Sequence, residues 1–241
     1  MGPRLLALDT STEVLAVALA DGAREWFATE AGGARASSRL VPCVLELLAR
    51  AGLAPAALDA IGFGAGPGAF TGLRSACAVA QGFAFGLQRP VLPVDSLMVV
   101  AEDARAQLGE RADALWVAMD ARMDEVYAAR YEWAAERWQP RDAPALWTLD
   151  ALARRWADAP PLCVAGSAIN AFGDRLPLGQ ALRVAIERDR ARALLAVARR
   201  QWQLGAAVPA TQALPIYLRD KVALTSAERA AAAASRPAPS R

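Results

Sequence analysis

The sequence predicts an α/β protein of two related lobes, and three observations carry that expectation. Arg4 to Leu8 and Val14 to Ala20 read as two strands of a hairpin-like opening that ends in the turn pair Asp21-Gly22. A strand–loop–helix unit follows, with Leu58 to Phe63 as strand, Gly64 to Gly68 as a tight loop and Thr71 to Gly86 as a helix of small and apolar residues. The second half then repeats the first. Leu115 to Asp120 followed by Glu125 to Ala129 mirrors Leu5 to Asp9 followed by Glu13 to Ala18: an apolar strand ends in Asp, turns and re-enters a strand.

Between these units, the apolar spacing from Ser37 to Arg50 is helical, with Leu40, Val44, Leu47 and Leu48 on one side and Val41 and Leu45 on another; Pro42 is expected in the first turn. Pro161 to Ser167 echoes the strand into glycine of Ile61 to Gly64, and each is followed by a helix. Trp138 to Pro161, rich in Pro, Trp and Arg, reads as an insertion around a short helix at Leu149 to Trp156. From Thr225 onward Ala, Ser, Pro and Arg dominate, with too few large apolar groups to offset ordering entropy. The expected division is an N-terminal lobe at 1–105, a smaller C-terminal lobe at 106–225 and a disordered tail at 226–241.

Composition removes several classes of function. Apolar residues make up 55% of the 241 and charged residues 22%, and no apolar run reaches the roughly eighteen residues that a membrane span needs. The first strand starts without a basic leader or an apolar signal core, and the cysteines, Cys43, Cys77 and Cys163, are odd in number and far apart; both features predict a reducing cytoplasm. With no histidine, the chain supplies no imidazole base, no serine–histidine triad and no histidine metal ligand. Its only lysine, Lys221, does not follow a glycine-rich loop, so a P-loop is missing too. A net charge of +2 does not by itself imply extended nucleic-acid binding.

Two motifs are candidates for ligand binding, and each also has a purely structural reading. Asp9, Thr10 and Ser11 form the kind of strand-end turn that, in actin-like ATPases, presents N–H groups to phosphate and holds magnesium through water. Alternatively Asp9 caps the turn, with Thr10 and Ser11 satisfying local backbone, and Ser11 stands where the phosphate hairpin usually has glycine. Gly66, Pro67 and Gly68 lead into a helix start whose free N–H groups suit an anion, or they form a rigid turn that allows close packing. Arg74 is placed to hold a carboxylate across the fold or on a partner. Asp120, Arg122 and Glu125 read as a turn ion pair, and Tyr217 and Arg219 as residues packing the lobes.

Leu6-Ala-Leu-Asp-Thr-Ser-Thr12, Gly64-Ala-Gly-Pro-Gly-Ala-Phe-Thr-Gly-Leu-Arg74, Met119-Asp-Ala-Arg-Met-Asp-Glu-Val-Tyr127 and Pro215-Ile-Tyr-Leu-Arg219 closely resemble the bacterial TsaB family over nearly the whole chain. The resemblance implies an actin-like/sugar-kinase (ASKHA) fold of two RNase-H-like lobes, with mixed sheets flanked by helices. It also implies a cytoplasmic, supporting role in making N6-threonylcarbamoyladenosine beside the tRNA anticodon. In that family the catalytic paralogue TsaD holds a metal and transfers the threonylcarbamoyl group, the ATPase TsaE joins the pair, TsaC makes the activated intermediate, and tRNA is met through the complex. The chain departs from its relatives at Ala36, where many have histidine, and at Ala69, where serine is usual.

The reading is therefore a non-catalytic subunit with no metal and no cofactor of its own. It pairs with TsaD, or with itself when alone, through the two N-terminal-lobe helices, at Leu40, Val41, Val44, Leu45, Leu48, Ala76, Val79, Ala80 and Phe83. The alternative is an active ATP-dependent phosphotransferase of the same fold. A two-metal nuclease would need more carboxylates at strand ends than Asp9 and Asp120.

Overall fold

The computed structural model of the chain describes residues 2–219. The expected tail, 226–241, and the end of the expected second lobe lie outside them. After its first residue the opening strand β1 (Arg4–Asp9) is buried throughout, because both faces are covered: Leu6 and Leu8 enter one core, Leu5 and Ala7 another. β1 pairs antiparallel with β2 (Val14–Asp21), and β2 with β3 (Arg24–Ala31). On its other side β1 runs parallel to β4 (Ala60–Gly66), and β4 to β5 (Val91–Asp95).

The second sheet is drawn the same way around β6 (Ala114–Asp120). Antiparallel β7 (Glu125–Ala134) and β8 (Arg137–Thr148) extend it on one side, and parallel β9 (Cys163–Ala165) and β10 (Leu182–Val184) on the other. The orders β3-β2-β1-β4-β5 and β10-β9-β6-β7-β8 are one figure used twice. The internal repeat is thus present in the topology, and the chain has the actin-like fold of two RNase-H-like lobes.

Six α-helices clothe the sheets among the described residues. α1 (Ala36–Ala51) and α2 (Phe70–Leu87) cover one face of the first sheet, with Leu40, Val44, Leu47, Ala76 and Ala80 packed on Leu6, Leu8 and Val17. α4 (Leu149–Asp158) and α5 (Ala168–Phe172) cover one face of the second.

The remaining two helices are exchanged between the lobes. α3 (Ser96–Leu108) follows β5, yet Leu97, Val100, Ala101 and Ala104 pack with Leu115, Val117 and Ala129 of the second sheet. α6 (Arg190–Gln203) follows β10 and returns to the first sheet, onto a face of Ala7, Ala16, Ala18 and Ala20. Those small side chains let the helix approach closely, and a Cβ added to Gly62 would lie only 3.2 Å from that of Ala198. The packing therefore crosses residue 105 in both directions.

Two sequence expectations are corrected here. The supposed insertion from Trp138 onward is largely β8, paired along β7; its Pro140 and Pro144 are tolerated because β8 is an edge strand. Pro42 lies well inside α1, past the first turn, where it leaves the carbonyl four residues back, on exposed Ser38, without its helical donor.

Acidic residues fasten the exchanged helices. Glu102 of α3 accepts hydrogen bonds from Trp138 Nε1 at 2.8 Å and from both terminal nitrogens of Arg200 on α6, at 2.8 Å each. Asp95 caps α3 by accepting from the Leu97 N–H at 2.9 Å, and it accepts the Tyr131 hydroxyl of β7 at 2.5 Å. Burial pushes the Asp95 carboxyl above its ordinary range, against the Tyr131 and amide hydrogen bonds that lower it. Because the folded value is raised, stability falls as pH climbs from the unfolded carboxylate pKa, about 3.9, through the folded one. Tyr131→Phe removes a donor that favours the ionised form and raises that value further. Its deficit in urea-measured stability should accordingly be larger near about pH 7 than near about pH 4, by roughly 1 kcal/mol. A deficit equal at both would mean that Asp95 does not titrate against this hydroxyl.

Candidate functional site at the cleft between the lobes

A cleft of about 610 Å³ opens between the two sheets, lined by Ser11, Pro67, Gly68 and Phe70 on one side and by the β6–β7 turn, Tyr127 and Ser167 on the other; Arg190 also lines it. The six candidate ligand residues do come together at this place. The turn after β1 lies against the glycine loop: the Ala69 N–H donates to Ser11 O at 2.7 Å, and Thr10 Oγ1 donates to Gly72 O at 2.6 Å. Asp9 Oδ1 accepts the Ser11 N–H at 2.6 Å, the local turn cap that its position suggested. Only Ser11, Pro67 and Gly68 of the six line the cleft; Asp9, Thr10 and Gly66 lie beneath its surface. The loop's glycines are used in packing. A Cβ at Gly68 would sit 2.5 Å from Ser11 O, and one at Gly72 would sit 1.7 Å from Thr10 O.

Three residues not singled out from sequence complete this floor. Arg190, at the first turn of α6 and 3% exposed, donates from Nη2 to Asp9 Oδ2 at 3.2 Å and to Ser11 Oγ at 2.9 Å, and from Nη1 to Glu187 Oε2 at 2.5 Å. Burial would lower the Arg190 pKa, but the Asp9 and Glu187 charges outweigh it, and the guanidinium is held charged above its ordinary value. Ser96 Oγ, at the start of α3, accepts the Gly66 N–H at 3.1 Å and faces Asp9 Oδ2 at 3.4 Å. In the sequence Arg190 belongs to the run Glu187-Arg-Asp-Arg-Ala-Arg192, which has the pattern of a solvated helix start and carries no sign of burial.

The opposite wall is a turn held by ion pairs. Asp120 accepts the Arg122 N–H at 2.8 Å and pairs with its side chain at 3.2 Å, and Glu125 pairs with Arg219 at 2.6 Å. Arg122, Met123 and Asp124 all have positive φ, 64°, 57° and 57°, so this turn keeps a left-handed shape without glycine. Arg219 also donates to Ala121 O at 2.9 Å, and Tyr217 stacks against Phe70 at 5.1 Å, so the segment after α6 ties both walls. Arg74 lies over the Phe70 ring at 3.8 Å and donates to the Tyr217 hydroxyl at 3.1 Å rather than holding a carboxylate among the described residues.

The expected partner surface divides in two. Leu40, Val44, Leu48, Ala76 and Ala80 are at most 2% exposed and form the core beneath the helices, which corrects their assignment to an interface. Val79 and Phe83 are partly buried against the same core. Val41 and Leu45 are 39% and 47% exposed on the outer side of α1, and on α2 Phe85, not singled out from sequence, is 56% exposed.

The duplicated actin-like fold defines a class of protein, and comparison with known proteins says to which family within it the chain belongs. A family model described as TsaD, tRNA N6-adenosine threonylcarbamoyltransferase, matches residues 30–165. A solved Pseudomonas aeruginosa protein, described as uncharacterized with similarity to peptidase YeaZ, superposes with a TM-score of 0.81 at 41% identity over 90% of this chain and 100% of that one. A second structure, YeaZ from the same organism, gives 0.79 at 41% identity with the same coverage. The Haemophilus influenzae tRNA threonylcarbamoyladenosine biosynthesis protein TsaB is 43% identical over 123 residues, 51% of each chain, and the Escherichia coli TsaB is 37% identical over 129 residues, 54% of this chain and 55% of that one. The chain thus spans about half the length of the curated relatives it matches. It belongs to the TsaB family, called YeaZ in the solved structures.

Proposed function

We propose that the chain is a non-catalytic partner subunit in the formation of N6-threonylcarbamoyladenosine on tRNA, binding and supporting the TsaD protein together with the ATPase TsaE in the cytoplasm. The observation that carries the partner role is the outward row of α1, where Val41 and Leu45 stand exposed one turn apart above a fully packed inner face. Support for a non-catalytic role comes from the chemistry available: the chain has no imidazole, and its strand-end carboxylate is paired with Arg190. The same pairing weighs against the ATP-dependent phosphotransferase reading. Among the described residues no helix is long and apolar enough to cross a membrane.

In this proposal residues 1–105 and 106–225 act as two lobes, each completed by a helix of the other. Val41 and Leu45 of α1, with Val79 and Phe83 of α2, meet TsaD or, in its absence, a second copy; tRNA is reached through the complex. The test is a threonylcarbamoylation assay with TsaD, TsaE, the activated intermediate and tRNA, omitting each component in turn. The chain alone should modify no tRNA and hydrolyse no peptide, and its omission should lower product at least about tenfold, as expected when a partner completes a working site. Metal-dependent turnover by the isolated chain that Asp9→Ala abolishes would overturn the proposal.

A further inference from the structure

Active proteins of the actin-like fold use the carboxylate at the end of the first strand to hold a divalent cation through water. The residues of this chain do not fit such a resident ion. Three oxygen atoms converge on the Arg190 guanidinium: Asp9 Oδ2 at 3.2 Å, Ser11 Oγ at 2.9 Å and Glu187 Oε2 at 2.5 Å. Asp9 is 0% exposed and Arg190 3%, so an ion reaches that carboxylate only by displacing the arginine.

We propose that Arg190 is this chain's built-in cation, filling the position between Asp9, Ser11 and Glu187 that a hard divalent ion would otherwise take and fastening the first strand to the last helix. Two carboxylates and a hydroxyl are the hard oxygen set that suits Mg²⁺, Mn²⁺ or Ca²⁺, and they carry two negative charges that something must neutralise. A guanidinium does so from a fixed point in the chain, always charged and planar enough to reach several acceptors at once. As a hydrogen-bonding group it uses both terminal nitrogens, while the buried Nε has no partner among the described residues. The cleft floor is therefore assembled without metal, independently of which protein binds outside on α1.

Removing the arginine should expose the latent site. Arg190→Ala is expected to melt roughly 10 °C below the wild type, as two carboxylates lose their counter-ion. Millimolar MnCl₂ or MgCl₂ should restore most of that loss, guanidinium chloride at the same concentration part of it, and NaCl at matched ionic strength none. Electron paramagnetic resonance should show Mn²⁺ bound to Arg190→Ala, but not to the wild type or to the double variant Arg190→Ala/Asp9→Asn. The wild type should melt identically with and without a chelator. Mn²⁺ binding by the wild type that Asp9→Asn removes would overturn the proposal. So would an Arg190→Ala protein that folds and binds no Mn²⁺, or one that fails to refold with Mn²⁺ and guanidinium both supplied.

Discussion

Val44→Glu is expected to unfold the chain, whereas Leu45→Glu, its neighbour, is expected to leave it folded and unable to bind TsaD. The two side chains leave α1 about 100° apart, and that angle is the whole difference between core and surface. Val44 is 0% exposed, in the cluster with Leu6, Leu8 and Val17, while Leu45 is 47% exposed. An unpaired carboxylate at Val44 costs several kcal/mol, against a total stability of roughly 5–15 kcal/mol. At Leu45 the same carboxylate stays hydrated in the free chain and is desolvated only when a partner covers it, so its cost falls on binding, at about 2 kcal/mol or more. Val41→Glu, one turn earlier and also exposed, should repeat the Leu45 result. Circular dichroism and thermal melting read the first effect, and co-purification with TsaD the second. If Leu45→Glu and Val41→Glu both bind TsaD as the wild type does, the outer face of α1 is not the interface.

The same helix shows what sequence resolves and what it leaves to the fold. Its two apolar sides, Leu40-Val44-Leu47-Leu48 and Val41-Leu45, are legible from spacing, but which one meets the sheet depends on the direction from which β2 and β3 approach. Strands with buried centres and short apolar runs, β1, β2, β4 and β6, are readable, and so is their duplication. β3 and β8 are not, because as half-exposed edge strands they mix Arg, Glu, Trp and Pro and show neither a clean alternation nor a continuous apolar run. α6 is hidden by its arginines, since its inner face sets only Leu194, Leu195 and Val197 beside three alanines against a sheet face rich in alanine. At the cleft, the adjacency of Asp9–Ser11 to Gly66–Gly68 follows from the parallel pairing of two strands, β1 and β4, that are each readable as strands. Arg190 reaches Asp9 across 181 positions because α6 crosses back between lobes, and no local pattern encodes that return.

Gly72→Ala should be the most damaging of the conservative changes, and Gly82→Ala in the same helix should have the opposite sign. In a solvated helix, alanine is better than glycine by roughly 0.8–1.0 kcal/mol, since it removes backbone freedom from the unfolded chain. Gly82 meets that condition: among the described residues nothing lies within 4 Å of a Cβ added there, so Gly82→Ala is expected to stabilise by about that amount. At Gly72 the added Cβ would stand 1.7 Å from the Thr10 carbonyl oxygen and 2.8 Å from its carbon, and both are backbone atoms. Thr10 has little room to retreat. Its hydroxyl is bonded to Gly72 O at 2.6 Å, the next carbonyl accepts the Ala69 N–H at 2.7 Å, and Asp9 behind it is tied to Arg190. The β1–β2 turn and the start of α2 must therefore separate, opening the floor of the cleft and breaking several buried polar contacts together. A loss of about 3 kcal/mol or more is expected, a large share of a 5–15 kcal/mol total. Urea melts of the two variants beside the wild type decide the matter. A Gly72→Ala protein as stable as the wild type would show that this turn and helix are not in contact, and with that contact would go the packing role of the glycine loop.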